Sequence, residues 1–253
     1  MTKKITILKT LFIQLGLLSI LQADSPAIYE GAIVRGDTTK KQIALVFTGH
    51  EYTDGGLHIY QVLKHHQIRG AFFFTGKFYT ENSQLVELLH SSGHYLGPHS
   101  FDHLLYCSWK NRDSLLVTKE EFVHDLNKNY AVMESFGIKN ADIFLPPFEW
   151  YNLQIADWCR ELKLTLINMT SGTLSHTDYT YPSMERYWSS DTIYNSVLEY
   201  ERKNPAGLNG FILLIHIGAN PERKDKFYFR LDSLITDLQK KGYKFIDIKS
   251  MVK

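Results

Sequence analysis

Short apolar runs alternate with longer amphipathic segments along most of this chain, and that alternation constrains the fold more than any other feature. Residues 43–47 read IALVF and residues 71–75 read AFFFT, and each run is followed by a turn and a stretch of helical periodicity. Short continuous apolar runs of this kind are typical of strands that are buried on both faces of a parallel sheet. About seven such pairs of strand and helix predict a parallel β/α barrel or a doubly wound sheet.

Local signals place several element boundaries. The segment VTKEEFVHDLNKNYAVMESFG predicts a long helix in which Thr118 and Glu121 form a capping box and which Gly137 ends. The apolar segment GFILLIHIG predicts a buried strand that ends at His216, and KFIDI, residues 244–248, predicts a closing strand.

The N-terminal segment has the layout of a secretory signal peptide. Basic residues precede a largely apolar stretch, residues 11–21, and the small Ala23 precedes polar residues. The apolar stretch is too short to cross a bilayer, which needs about 20 residues. We therefore expect cleavage after Ala23, a single domain over residues 24–253, and a secreted or periplasmic protein without stable membrane insertion.

The charge balance and the cysteine content limit the classes of partner and the covalent links that this chain can have. The chain has 28 Lys and Arg residues against 27 Asp and Glu residues, so it lacks the basic field that nucleic acid binding needs. Cys107 and Cys159 are the two cysteines, and their wide spacing does not indicate a disulfide. We expect free, buried thiols and no nucleic acid partner. The sequence does not indicate an oligomeric state.

Polar side chains follow most of the predicted strands at the point where each strand ends. In barrels and doubly wound sheets alike, functional side chains gather at that edge. The chain has 11 histidines, and several of them fall there. The positions that follow apolar runs are residues 48–51, 75–76, 99–103, 146–149 and 170–179, and His216.

Two of these histidines have the spacing of metal ligands. His99 and His103 are four residues apart in GPHSFDHL, so both imidazoles can face one divalent ion, with a third ligand from another strand end. His216 ends a strongly apolar run. It is either a core histidine that bonds a backbone carbonyl or, beside a metal, the proton donor for a leaving group.

The order of four segments resembles the polysaccharide deacetylases of carbohydrate esterase family 4. HSFDH is followed by FLPPFEWYN, then SHTDYT, then LLIHIG, and the resemblance extends from residue 43 to the C-terminus. It implies an α/β fold, a distorted (β/α)7-type barrel of mostly parallel strands. It also implies a zinc site, with cobalt, nickel or manganese as alternatives. The implied reaction is hydrolysis of N- or O-linked acetyl groups on a polysaccharide or oligosaccharide.

The resemblance carries roles onto residues of this chain. It implies that His99 and His103 are metal ligands, that His216 is the catalytic acid and that Asp178 orients it. Substrate groove positions follow from the same match, with Glu149 added because it adjoins the groove turn: Pro146, Pro147, Phe148, Glu149 and Tyr179. Tyr179 stands where the family usually has a tryptophan.

Two departures from the family's pattern coincide. The family opens with T-F-D-D, whose aspartates are the general base and a metal ligand, but this chain has Thr48 and Gly49 there. An arginine that pairs with the base is replaced by Leu145. His50 and Glu51 follow at once, so we expect Glu51 to be the third metal ligand and His50 the base. The reverse assignment stays open, and Asp54 is a weaker choice because DGG is typical of a turn.

Three functions remain in competition. The first is a secreted, metal-dependent deacetylase of acetylated carbohydrate. The second is a catalytically impaired sugar-binding protein on the same scaffold, which the loss of both aspartates favours. The third is a metal-dependent amidase or esterase with another substrate, because a fold does not fix a substrate.

Overall fold

The computed structural model describes residues 26–253, and the predicted signal peptide, residues 1–23, lies outside the described residues. The strands are β1 (Ala27–Tyr29), β2 (Ala32–Arg35), β3 (Gln42–Gly49), β4 (Ala71–Phe74), β5 (Tyr95–Pro98), β6 (Ile143–Phe144), β7 (Thr165–Leu166), β8 (Phe211–His216) and β9 (Lys244–Phe245). The α-helices are α1 (Gly56–His65), α2 (Gly76–Glu81), α3 (Ser83–Ser91), α4 (Lys119–Ser135), α5 (Leu153–Glu161), α6 (Ser190–Lys203), α7 (Leu231–Lys240) and α8 (Ile248–Met251).

The main sheet is parallel at its centre and antiparallel at one edge. Its order is β1, β2, β8, β3, β4, β5, and β9 also pairs with β3. Strands β8, β3, β4 and β5 run parallel, whereas β1 and β2 form an antiparallel hairpin that joins β8. The strands β6 and β7 form a separate parallel pair.

Two contacts close this arrangement into a distorted barrel. On one side, a parallel bridge joins Ile33 of β2 to Ile167, just after β7. On the other, the Tyr95 hydroxyl accepts from the backbone N–H of Ile143 at 2.9 Å and donates to its carbonyl at 3.3 Å, which links β5 to β6. The barrel prediction is therefore confirmed, and the doubly wound alternative is wrong.

The centre of the barrel is apolar because its central strands are buried on both faces. Residues 43–49 of β3 and residues 211–215 of β8 are all buried, as their continuous apolar runs predict. A second apolar cluster lies between α4, α5 and β6 and includes both cysteines. Cys107 and Cys159 are free, and burial raises their pKa values to about 11 and about 12.

Local capping signals are confirmed where side chains decide the boundary. The Thr118 hydroxyl accepts from the N–H of Glu121, whose carboxylate accepts from the N–H of Thr118, so α4 begins with a capping box. Gly137 follows the helix with φ of 73°. The closing strand KFIDI is shorter than predicted, because the Asp247 carboxylate accepts from the N–H of Lys249 and starts α8 there.

Among residues 26–253, no helix combines the length and apolar character that crossing a membrane requires.

Candidate active site

The carboxyl ends of the central strands open onto a cavity of about 640 Å³. Most of the site residues predicted from the sequence face this one space, although they are up to 166 positions apart in sequence. The predicted residues that line it are His50, Glu51, His99, His103, Phe148, Glu149, Tyr179 and His216. Asp178 and Pro147 are buried and do not line the cavity.

His216 and Asp178 form a hydrogen-bonded pair at the end of β8. The Nδ1 atom of His216 lies 2.6 Å from Oδ1 of Asp178, and the His216 backbone N–H donates to Oδ2 at 3.0 Å. Burial lowers the pKa of His216, but the charge of Asp178 and its hydrogen bond outweigh burial, so the pKa lies above its ordinary value of 6.5. Asp178 thus occupies Nδ1 and leaves Nε2 of a readily protonated imidazole for the cavity.

His99 and His103 have neighbouring, uncharged imidazoles. Their ring centroids are 5.1 Å apart, and Nδ1 of His99 donates to the carbonyl of Leu145 at 2.7 Å. A carbonyl only accepts, so Nε2 of His99 keeps its lone pair. Burial, with a smaller contribution from neighbouring imidazoles, lowers the pKa of His99 to about 3 and that of His103 to about 2. Neutral imidazoles with a free nitrogen are the form that binds a cation.

His50 is tied to its surroundings, whereas Glu51 is exposed. The His50 ring stacks on the His103 ring at 4.5 Å between centroids and 14° between planes, and its Nδ1 lies 3.2 Å from the Thr75 hydroxyl. Burial lowers the pKa of His50, and the charge of Glu51 opposes that only in part. His50 is therefore neutral near pH 7.

Glu149 sits in a backbone conformation that few residues adopt. Phe148 and Glu149 have φ of 59° and 53°, in the left-handed region that favours glycine. The N–H of Glu149 donates to the Pro146 carbonyl at 3.1 Å, and Asn168 Nδ2 donates to the Glu149 carbonyl at 2.8 Å. The side chain is half-buried, and burial raises its pKa from 4.5 to about 7.

Comparison with known proteins decides the family. The family model described as polysaccharide deacetylase matches residues 35–167, which is just over half of the chain. The chain belongs to the polysaccharide deacetylase family.

Two curated relatives of this chain are named as peptidoglycan deacetylases. Over 229 residues the chain is 27% identical to the peptidoglycan-N-acetylmuramic acid deacetylase PdaA of Bacillus subtilis, covering 87% of this chain and 75% of that protein. It is 26% identical over 217 residues to the peptidoglycan-N-acetylglucosamine deacetylase PgdA of Listeria monocytogenes, covering 84% of this chain and 39% of that protein.

Solved structures of deacetylase family members share the fold. A family 4 pseudoenzyme from Bacillus anthracis superposes with a TM-score of 0.71 at 19% identity, covering 89% of this chain and 70% of that one. The structure of Bacillus subtilis PdaA superposes with a TM-score of 0.66 at 24% identity, covering 88% and 85% of the two chains. The overall fold is thus that of a known architecture.

The two departures from the deacetylase pattern are accommodated by packing. Thr48 is buried, and no partner of its hydroxyl oxygen lies among residues 26–253. A Cβ atom at Gly49 would approach Phe74, Phe78 and Ile217 to 2.9 Å each, so the space beside this residue is closed. The side chain of Leu145 is buried, and its carbonyl orients His99. The packing around Gly49 therefore leaves no room for a side chain at this position.

Two polar residues on the buried face of α4 hold the loop that contains His99 and His103. The Asp125 carboxylate accepts from the N–H groups of Phe101 and Asp102 at 2.7 and 3.0 Å. Asn129 Nδ2 donates to the carbonyls of Ser100 and Phe74. Sequence reasoning missed both residues. Their spacing of four on the helix face that also buries the apolar residues was the available signal.

A fully buried arginine holds the loop that carries Tyr179. Arg223 donates to the carbonyls of Thr180 at 2.7 Å, Trp188 at 3.0 Å and Asp225 at 3.1 Å. These bonds fix the wall of the cavity on the side of His216. Sequence reasoning missed Arg223 as well, because most of its partners are backbone carbonyls that no sequence pattern marks.

Asp54 joins the segments that follow β3 and β8. Its carboxylate accepts from the N–H of Ala219 at 2.9 Å and the hydroxyl of Tyr228 at 2.8 Å, and it pairs with Lys226 at 2.9 Å. These contacts tie the turn after β3 to the segment after β8. The sequence DGG was predicted to form that turn.

Two residues of the cavity, His99 and His103, are suited to bind a divalent ion. His99 and His103 are neutral and adjacent, but the ligand atoms of Glu51, His99 and His103 do not all lie within 4.8 Å of one another. In the described part of the chain, the three-residue set that meets this spacing is His65, His66 and Asp232, none of which lines the cavity. A catalytic zinc site has three protein ligands, so the third position is unassigned by the geometry.

Proposed function

We propose that the protein is a metal-dependent hydrolase that removes acetyl groups from an acetylated carbohydrate polymer or oligosaccharide. The observation that carries this proposal is the His216–Asp178 pair, which shares one cavity with the neutral imidazoles of His99 and His103. Membership of the deacetylase family and the cell-wall deacetylases among the relatives support the same reaction.

The proposed metal is a divalent ion, with zinc first and cobalt, nickel or manganese as alternatives. His99 and His103 would hold it, with Glu51 as third ligand and His50 as the alternative. When bound, such an ion polarises a carbonyl group and lowers the pKa of water. Because Glu51 is exposed, its side chain has room to change rotamer without disturbing the core.

His216 has the proposed role of general acid. Its raised pKa favours the protonated imidazole, and Asp178 holds Nδ1, so Nε2 is the nitrogen that can deliver a proton. The leaving amine or alcohol would receive that proton as the bond to the acetyl carbon breaks. Asp178 keeps the ring in place throughout.

The rim of the cavity suits a sugar. Trp109, Phe148 and Tyr179 all expose between 40% and 57% of their surface, and Tyr179 lies 4.9 Å from the His216 ring. Exposed aromatic faces beside a polar cavity offer flat apolar surfaces on which a pyranose ring can stack. Peptidoglycan is the proposed first substrate, since the named relatives act on it.

Export completes the proposal. The signal peptide predicted over residues 1–23 would deliver a secreted or periplasmic protein, which is where an extracellular glycan is met.

The test is acetate release from acetylated peptidoglycan, chitooligosaccharide and acetylated xylan, with and without a chelator. We expect release from at least one substrate, loss of release in chelator, and recovery when the metal is returned. A His216→Ala variant should lose on the order of 100-fold or more in rate. His90→Ala removes an exposed histidine of α3 and should match the unmodified protein. Absence of acetate from all three substrates in a metal-loaded protein would refute the proposal.

One observation favours a second function, a sugar-binding protein without turnover. Thr48 and Gly49 supply no carboxylate at the strand end, and packing closes the space beside Gly49. In that case calorimetry would detect binding of a chitooligosaccharide, and acetate would be absent.

A further inference from the structure

The cavity contains few carboxylates that could accept a proton. Thr48 stands at the end of β3, and a hydroxyl cannot act as a base near neutral pH. In the described residues, the carboxylates that line the cavity are Glu51, Asp102 and Glu149. Asp102 pairs with Lys77 at 2.9 Å and Lys128 at 3.1 Å, which lowers its pKa and makes it a poor proton acceptor.

Glu149 stands out by its backbone. It is the second of two consecutive residues other than glycine in the left-handed region, a conformation that costs free energy for a residue with a Cβ atom. Hydrogen bonds from Asn168 and to Pro146 keep the backbone there. Glycine would fit this position without strain, so the carboxylate is retained at a cost to stability, as is common at functional sites.

The surroundings of Glu149 favour proton transfer. His216 and Asp178 lie within electrostatic reach, and burial brings the pKa of the carboxyl group to about 7. A base is most effective when its pKa lies near the working pH. On the same cavity, His216 has a raised pKa, so one wall carries a carboxylate that can accept a proton and an imidazolium that can donate one.

We propose that Glu149 is the general base of this site and supplies the carboxylate that the strand end lacks. This inference rests on the proposed deacetylase function. The carboxylate takes a proton from water, and the water oxygen bonds to the acetyl carbon while the carbonyl π pair moves to oxygen. When the carbonyl re-forms, the bond to the leaving nitrogen or oxygen breaks, its electron pair stays on that atom, and His216 protonates it. Acetate and the free amine or alcohol leave, and solvent exchange resets Glu149 and His216.

This assignment replaces His50 as the expected base. The Nδ1 atom of His50 is engaged with Thr75, and its ring lies flat against His103. Burial lowers its pKa, so it holds a proton poorly. His50 is instead placed to support the His103 ring.

The experiment compares Glu149→Gln, Glu149→Gly and the unmodified protein in acetate release across pH 5 to 9, with Glu185→Gln as the control for loss of an exposed carboxylate. We expect both Glu149 variants to lose about 100-fold to 10,000-fold in kcat/KM. The acidic limb of the pH profile, near pH 7 in the unmodified protein, should vanish in the variants. Glu185→Gln should keep both rate and profile.

Two further readouts separate a base from a structural residue. Formate or azide, small external bases, should restore part of the rate in Glu149→Gly but not in His216→Ala. Glu149→Gly should melt at or above the temperature of the unmodified protein, because glycine relieves the left-handed strain. Rates within threefold of the unmodified protein, or no rescue by formate or azide, would overturn the inference while leaving the deacetylase proposal intact. If the unmodified protein releases no acetate, the proposed function fails and the base role fails with it.

Discussion

Glu149 should make the stability of this protein depend on pH in a way that Glu149→Gln abolishes. One unit of pKa difference corresponds to about 1.4 kcal/mol, so raising the pKa from 4.5 to about 7 corresponds to about 3 kcal/mol. Because the folded pKa is raised, the stabilising contribution of the carboxyl group is complete below pH 4.5 and is lost as the pH rises through about 7. Glutamine does not ionise and lacks this loss.

The assay is urea unfolding of both proteins at intervals from pH 4.5 to pH 8. We expect the free energy of unfolding of Glu149→Gln, minus that of the unmodified protein, to rise by about 3 kcal/mol over this range. Other titrating groups are common to both proteins and cancel in the difference. The matched variant Glu185→Gln should give a flat difference, since Glu185 is exposed. A difference for Glu149→Gln that stays constant within about 0.5 kcal/mol would refute the assignment of a buried, proton-holding carboxyl group.

Three further substitutions test other parts of the site. Asp178→Asn should reduce kcat/KM for acetate release by about 100-fold to 10,000-fold. The basic limb of the pH profile should move to lower pH, because the pKa of His216 falls when the charge of Asp178 is removed. An unchanged limb would contradict the pairing of these two residues. Asp125→Ala should lower the free energy of unfolding in urea by about 2–5 kcal/mol, because two loop N–H groups lose their acceptor; a change under about 0.5 kcal/mol would contradict that role. Gly49→Ala should cost about 1–3 kcal/mol in the same assay because its Cβ has no space, and a neutral effect would show that the space is not closed.

The barrel was predictable from sequence because its central strands are buried on both faces. Continuous apolar runs mark β3, β4 and β8 directly, and the capping box marks the start of α4. The hairpin of β1 and β2 was not predicted, because these strands are short and β1 is exposed, so they carry little periodicity. The side chain of Asp247 caps α8 and so shortens the closing strand. The apolar pattern of the sequence does not predict such a local effect.

The site residues that were predictable from sequence are those at the carboxyl ends of strands, because these ends meet at one edge of the barrel. That rule selected His50, His99, His103 and His216, which do line one cavity. What it could not predict depends on tertiary contacts: the loop N–H groups that donate to Asp125, the carbonyls around Arg223 and the burial that raises the pKa of Glu149. Glu149 was named from the sequence only as a neighbour of the groove turn. Its left-handed backbone and its proximity to His216 became visible in the folded chain.

The role of His216 in acetate release is tested by measuring the metal-loaded protein and its His216→Ala variant side by side on acetylated peptidoglycan. The expectation is release by the unmodified protein and a rate lower by on the order of 100-fold or more in the variant. Equal rates in the two proteins would contradict it.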